Sequence, residues 1–422
     1  MKQECITVSF RIKERVFSFT HNNSLINIDV SFLSKYIWEP INERSYDTIH
    51  FLEVIYVLHA IDQILPERPI DKRRGIYVRI PVENVNKFNL IKIKLQALLF
   101  WMTNDTWEVE FYERGATLYI PMRLPFKYIG DTVALWSGGL DAAAGAYLQL
   151  YDNPRSQIIL VGSGRDNRVF KNQRNLANQL KKIFPRRVEY IKIPVKFNGK
   201  FKNQYARTRG LVFMAIGLLV SNSIEINKLL VYENGIGALN EEIESNQFSN
   251  MSHSVHPKTL YDISDLFSSL VEHPFQIQNP FLFHTKAQMC REAISKNCTE
   301  DYLLLTDSCD SHGREIGLPH CGVCSSCLLR RVSLINSIGH DDKIYGKQTK
   351  SREEKLKKFE CYKNLILPLN KYGSCYVKAH EVSDNNALFE ERITLLYETY
   401  RKEVELALPQ IIDNENLTDK WS

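Results

Sequence analysis

Two short stretches carry residue types that do chemistry at informative spacings. In Cys321-Gly-Val-Cys324-Ser-Ser-Cys327 three thiols fall within seven residues, with Cys309 twelve positions upstream. A C-x-x-C turn lets two sulfurs reach one ion, and four thiolates satisfy tetrahedral zinc with no position left open. These cysteines are expected to hold a structural Zn2+, with Gly322 easing the turn and His320 and His312 in reserve should Cys309 lie too far away. A redox role for one C-x-x-C pair is the competing reading, and the third and fourth cysteines argue against it. Upstream, Ala134-Leu135-Trp136-Ser137-Gly138-Gly139-Leu140-Asp141 joins an apolar run to a helix-forming one through adjacent glycines. Lacking side chains, Gly138 and Gly139 let the backbone close on a ligand, and the helix start that follows favours negative charge. Such a turn suits phosphate, although a plain strand-to-helix turn has the same composition. It is not a Walker loop, because the Gly-Lys-Ser/Thr ending is missing.

Both motifs need a frame. From about residue 129 to 342, runs expected as strands (131–135, 157–161, 188–194, 228–232) alternate with runs expected as helices (142–150, 167–183, 208–221). That alternation predicts an α/β fold, a doubly wound parallel sheet with a zinc knuckle at 309–327. Ligands of such sheets bind at the carboxyl ends of the strands, which singles out the turns after 135, after 161 (162–164) and after 232. Residues 1–128 alternate at period 2 in ITVSF, VFSF, INIDVSF, IYVRIPV, WEVEFY and ATLYIPM, with helical stretches near 48–65 and 90–101. They predict an α+β N-terminal domain with a structural or docking role. Residues 343–422 are charged and read as a helical C-terminal tail without a recognisable site.

With 422 residues, 44% hydrophobic and 24% charged, the chain is an ordinary globular one, which excludes disorder, collagen and coiled coil as its main architecture. Apolar runs such as 211–220 are too short to span a bilayer and the start lacks a signal-peptide pattern, so a cytoplasmic protein without a membrane partner is expected. The net charge of +5 conceals one basic segment. Between Arg165 and Arg209 there are 14 lysines and arginines against Asp166 and Glu189 alone, leaving the rest of the chain near −7. Three readings stay open for it: a solvated helix face, anion binders led by Arg207 and Arg209, or a nucleic-acid groove. The last is disfavoured by sparse aromatic interleaving, so nucleic acid is not the expected partner.

Ser137, Gly138, Gly139 and Asp141 match the SGGxDS signature, and the segment resembles the PP-loop ATP pyrophosphatases, which cleave ATP between its alpha and beta phosphates. Ala142 departs from it, since that family usually has a serine there. Together with TDSCD, HCGVCSSCLLRR, Arg207-Thr-Arg209-Gly-Leu-Val-Phe and Thr285-Lys286-Ala287, residues 130–335 resemble the 7-cyano-7-deazaguanine synthase (QueC) family. The resemblance implies ATP, Mg2+ and Zn2+ as cofactors and a carboxylated deazaguanine as substrate. It places phosphate on Ser137, Gly138, Gly139, Leu140 and Asp141, and adenine by Val161 and Gly162 of the second strand. Asp141, Lys286, Arg207 and Arg209 are then catalytic.

The chain departs from housekeeping synthases, which are about half as long, and reads Glu233-Asn234-Gly-Ile-Gly-Ala-Leu-Asn240 where they carry a nucleobase segment. In this it resembles the long QueC-like proteins of bacterial anti-phage operons, the Qat system and a cyclic-nucleotide signalling system among them. That group implies adenylation with a different nitrogen acceptor, such as an amine on a partner protein of the same operon. Glu233 and Asn234 can bond a base edge or merely cap a loop. His253 and His256 can bond phosphate, move a proton or stand in a solvated loop. The expected function is thus an ATP-dependent, AMP- and pyrophosphate-forming ligase. A PP-loop RNA-modifying enzyme and an inactive nucleotide-binding scaffold are the alternatives.

Overall fold

The computed structural model describes residues 3–36, 38, 43–66, 73–116, 122–123, 130–164, 167–195, 207–239, 253–309, 320–322, 324–341, 345 and 386–414. Its larger sheet contains β7 (Thr132–Trp136), β8 (Ile158–Gly164), β9 (Val188–Pro194), β10 (Lys228–Leu230) and β11 (Gln276–Gln278), all parallel, in the order β11-β10-β7-β8-β9. β7 lies between its sequence successor β8 and the later strand β10, so the order reverses beside it, and a crevice opens at such a reversal.

Successive side chains of these strands point to opposite faces. Ala134, Trp136, Ile158 and Leu160 pack with α3 (Leu140–Asp152) and α4 (Asn167–Ile183). Val133, Ile159 and Val161 pack on the other side with α5 (Arg209–Ser223). Both faces are therefore apolar, which is why these strands read as continuous hydrophobic runs. Among the strands of this sheet, two ends differ from expectation by more than one residue. The glycines at 162 and 164 belong to β8 rather than to a turn, because β9 offers ladder partners as far as Pro194. β10 ends at Leu230, after which the chain bends toward the site.

Before this sheet come β1 (Gln3–Thr7), β2 (Ser9–Arg11), β3 (Val16–His21), β4 (Ser24–Asp29), α1 (Glu43–Ile64), β5 (Gly75–Val82), α2 (Val85–Thr103) and β6 (Thr106–Glu113). They form a parallel sheet β1-β5-β6 and an antiparallel one, β2-β3-β4. Of the run ATLYIPM, residues 117–121 lie outside the described residues, and Met122 bridges Trp38. α1 is buried over nearly its whole length, so it behaves as an interior helix rather than a surface one. Asn222 of α5 donates to Thr48 Oγ1 at 2.9 Å, Tyr56 donates to the carbonyl of Pro194 at 3.0 Å, and His59 Nδ1 lies 2.8 Å from Thr208 Oγ1. The N-terminal elements and the larger sheet thus share one apolar core.

The remaining elements are α6 (Gly235–Leu239), α7 (Pro257–Val271), α8 (Lys286–Ser295), α9 (Glu300–Leu304), α10 (Ser325–Ile338) and α11 (Asn386–Asn414). Of the expected tail, 346–385 lies outside the described residues, while α11 packs on α10 and α6. Among the described residues no helix is long and apolar enough to cross a membrane.

Candidate active site and zinc site

The segment Ser137–Asp141 leaves the carboxyl end of β7 and enters α3. Trp136 Nε1 donates to the carbonyl of Gln173 at 2.9 Å, anchoring the strand end on α4. Gly138 has φ +80°, a left-handed conformation that favours glycine, and a Cβ there would make tight 3.2 Å contacts with the side chains of Asn172 and Gln173. The loop is held from both sides. Asn172 Nδ2 and the Asp307 amide donate to the Gly138 carbonyl at 3.4 and 3.1 Å. The Gly139 amide donates to Ser137 Oγ at 3.1 Å, and the Leu140 amide to Ser308 Oγ at 3.3 Å. Ala142 is buried in the α3 core, and Ser308 brings a hydroxyl to the loop. Asp307, Ser308, Asn172 and Gln173 had no assigned role in the sequence. The TDSCD stretch, a carboxylate and a hydroxyl just ahead of a candidate zinc ligand, was the available signal.

Asp141, in the first turn of α3, is 6% exposed. Its Oδ2 receives Lys286 Nζ at 2.9 Å and Asn234 Nδ2 at 3.1 Å, while its buried Oδ1 has no hydrogen-bond partner. Asn234, fully buried, also donates to Glu233 Oε1 at 2.9 Å and accepts from the Gly237 amide at 3.0 Å. A Cβ at Gly237 would come within 2.4 Å of Glu233 Oε1, so this close approach needs glycine. Asn279 fixes the Glu233 backbone, donating to its carbonyl at 2.8 Å and accepting from its amide at 3.4 Å. Desolvation, and then the charge of Asp141, pushes the Glu233 carboxyl well above the usual carboxylate range. Burial opposes the charge on Lys286, but Asp141 and Glu233 outweigh it and hold the ammonium protonated. Lys286 is the first residue of α8, whose start is fixed by a capping box between Thr285 and Gln288.

The structure thus brings Asp141, Glu233, Asn234 and Lys286 together beside the Ser137–Leu140 loop. Arg207 and Arg209 have a different setting. Arg207 donates to the Thr103 carbonyl at 3.4 Å and Arg209 lies 5.1 Å from the Phe213 ring, so these contacts lead toward α2 and along α5. Val161 buries its side chain in the core, and the Gly162 Cα faces Gln173 and Tyr190 from within β8. His253 stacks on Trp101 at 4.3 Å and His256 meets the same ring at 5.2 Å. His256 caps α7, and its burial lowers its pKa to about 4, so this pair is packed rather than a solvated loop. Part of the basic segment is committed to local structure. Arg187 donates to the carbonyls of Leu150, Asn153 and Ser156, Lys181 pairs with Glu189 at 2.9 Å, and Lys192 sits over Phe170.

The sulfur atoms of Cys309, Cys321, Cys324 and Cys327 all lie within 4.8 Å of one another, and the pairs 309–324 and 321–327 are 4.0 Å apart. A tetrahedral ion with bonds of about 2.3 Å needs sulfurs about 3.8 Å apart, so the donor set fits zinc. Backbone amides of Cys321, Cys324 and Cys327 donate to the sulfurs of Cys309, Cys321 and Cys324 at 3.3–3.4 Å, which favours thiolates. Cys324 also caps α10, whose N-terminus supports negative charge. Gly322, at φ +78°, lies against Tyr345 where any Cβ would collide. His320 accepts from the Ser308 amide at 3.3 Å and stands 3.2 Å from Asp307, so it supports the loop clamp rather than the cysteine set. His312 lies outside the described residues.

No curated protein matches this chain. Among solved structures, a crystal structure of a ketoreductase domain from the bacillaene assembly line aligns over 57% of this chain and 73% of that chain. At 11% identity and a TM-score of 0.22 it carries no structural argument. The family model described as queuosine biosynthesis protein QueC matches residues 186–337, which include Glu233, Asn234, Lys286 and all four cysteines but begin after the Ser137–Asp141 loop, and it supports a QueC-like family for that part of the chain.

Proposed function

We propose that this protein is an ATP-dependent, AMP- and pyrophosphate-forming ligase that activates the carboxylate of a 7-deazaguanine and passes it to an amine. The observation that carries the reading is the buried Asp141–Lys286 pair, 2.9 Å apart, set beside a glycine loop at the reversal of a parallel sheet. The match at 186–337 supports a substrate of the deazaguanine class.

In this mechanism the triphosphate lies on the amides of Gly139 and Leu140, displacing the hydroxyls of Ser137 and Ser308 that now accept from them. The substrate carboxylate attacks the alpha phosphorus, the bond to the bridging oxygen breaks, and pyrophosphate leaves. Lys286 offsets the negative charge that grows on the phosphates, at a buried position where one charge counts for more than in water. The acyl adenylate then loses AMP to an attacking amine, which gives up one proton as the amide forms. Glu233 takes that proton in its ionised form, in which its raised pKa makes it a stronger base than an ordinary carboxylate. Asn234 orients both carboxylates. Mg2+, if bound, would face Asp141 and Glu233 and supply charge neutralisation. Zinc would be held by Cys309, Cys321, Cys324 and Cys327 as a fold-stabilising ion. We retain Arg207 and Arg209 as candidate anion binders, Val161 and Gly162 as the adenine side, and a doubly wound fold with an α+β N-terminal domain packed on it.

The acceptor we favour is an amine on a partner protein in bacterial antiviral defence. Support for this comes from the segment at 233–240, which departs from the nucleobase segment that the QueC resemblance implies. The test is intact mass spectrometry of proteins co-expressed with this one. A partner heavier by one deazaguanine acyl group is expected, and unmodified partners alongside a free amide or nitrile would assign ammonia as the acceptor.

A further inference from the structure

The C-terminal helix packs on the segments that carry Glu233, Asn234 and Lys286 and on the cysteine knuckle. Its first half packs Phe389, Ile393, Leu396 and Tyr397 against α6 and the 282–283 stretch. Leu396 and the Leu282 carbonyl press on Gly235, where a Cβ would stand 2.4 and 2.1 Å from them, so the backbone leaving Glu233 and Asn234 is pinned between the two. Its second half packs Tyr400, Val404, Ala407, Leu408, Ile411 and Ile412 against α10 and the cysteines. Within this second half lies Glu403, 5% exposed. Glu403 Oε1 accepts from Thr285 Oγ1 at 2.9 Å and from Arg291 at 2.6 Å, and the Glu403 carbonyl accepts from Asn336 of α10 at 2.7 Å. Arg291 also reaches the Asn336 carbonyl, at 3.2 Å. Thr285 caps α8 and immediately precedes Lys286.

We propose that α11 is a positioning element of the active site and that Glu403 is its positioning residue, acting through Thr285 and Arg291 to set the start of α8 and hence Lys286 against Asp141. The inference rests on the ligase reading for its kinetic consequence and on geometry for the rest. A shift of well under an ångström at Lys286 changes the charge offered to the phosphates without altering what binds them, so the effect belongs in kcat rather than in KM.

The experiment compares full-length Glu403→Ala, Glu403→Gln and Ile263→Ala, the last removing only packing of α7 in a different apolar core from the one α11 joins. Pyrophosphate release from ATP with carboxy-deazaguanine should fall about tenfold in kcat for Glu403→Ala, with KM for ATP within about twofold. Glu403→Gln keeps an acceptor for Thr285 and should recover to within about threefold of the parent. Ile263→Ala should lower Tm at least as much as Glu403→Ala yet leave kcat per folded molecule unchanged. A kcat for Glu403→Ala no lower than that of Ile263→Ala, or a Gln variant as impaired as the Ala one, overturns the inference. Should the parent protein release no pyrophosphate, the ligase reading fails and the positioning claim is decided separately by labelling Lys286 with acetic anhydride. Faster labelling in Glu403→Ala than in Ile263→Ala then supports it, and equal rates overturn it.

Discussion

Two buried ionic clusters in this molecule look alike in composition and differ in saturation. In one, Arg74 donates to Asp62 Oδ1 at 2.6 Å and to both oxygens of Asp105 at 2.6–2.9 Å, while Thr208 donates to Asp62 Oδ2 through its amide and hydroxyl. Each carboxylate oxygen there has a donor. In the other, two buried carboxyls, Asp141 and Glu233, share one ammonium, Lys286, and one amide, Asn234, so Asp141 Oδ1 receives no N–H donor and Glu233 is driven toward its protonated form against Asp141. Crowding two buried carboxyls on one cation costs stability, because each disfavours the charge of the other. The saturated cluster joins the N-terminal elements to α5, and the crowded one is the site proposed above for chemistry.

The largest effect should come from removing the support under the crowded cluster. Cys309 follows directly on Asp307 and Ser308, which clamp the loop, so Cys324→Ser is expected to lose zinc, lose amide-exchange protection across the knuckle and α10, and abolish pyrophosphate release. Retained protection in the zinc-free variant would show that the knuckle does not depend on the ion. Next, Asp62→Ala leaves Arg74 and Thr208 short of acceptors and should cost about 3–5 kcal/mol in urea unfolding, with turnover per folded molecule unchanged. Asp141→Ala should do the reverse. Pyrophosphate release should fall about 10²–10³-fold, while stability falls less than in Asp62→Ala because Glu233 remains to pair with Lys286. If the two variants exchanged these signatures, the distinction between the clusters would collapse.

The smallest effect concerns pH. His256 titrates near 4 in the folded chain against 6.5 unfolded, because burial resists its charge. The stability it contributes is complete above 6.5 and is lost as pH falls from there through about 4, a difference of roughly 3 kcal/mol across the window. His256→Asn keeps a capping acceptor without a titrating group, so its urea midpoint should vary less between pH 7.5 and 4.5. An unchanged slope would place the acid sensitivity elsewhere.

What was legible in the sequence was local. α4 and β9 occupy the expected residues, since an amphipathic helix and a short apolar strand announce themselves within one window. The cysteine set was legible for the same reason, as C-x-x-C is a turn-sized pattern. Glycine misled at 162–164, where the neighbouring strand decided the conformation. α1 reads from sequence as part of a separate N-terminal unit, but an interior helix has no polar face to reveal what covers it. Asp141 and Lys286 were singled out by motif, whereas Ser308 and Glu403 act across 168 and 118 positions and leave no spacing to read.

The central claim is that a substrate carboxylate attacks the alpha phosphate of ATP, and oxygen-18 in that carboxylate follows the event directly. With full-length protein, Mg2+, ATP and labelled carboxy-deazaguanine, the account predicts AMP carrying one oxygen-18 and unlabelled pyrophosphate. Label appearing in inorganic phosphate with ADP as the nucleotide product, or unlabelled AMP alongside product, would contradict it.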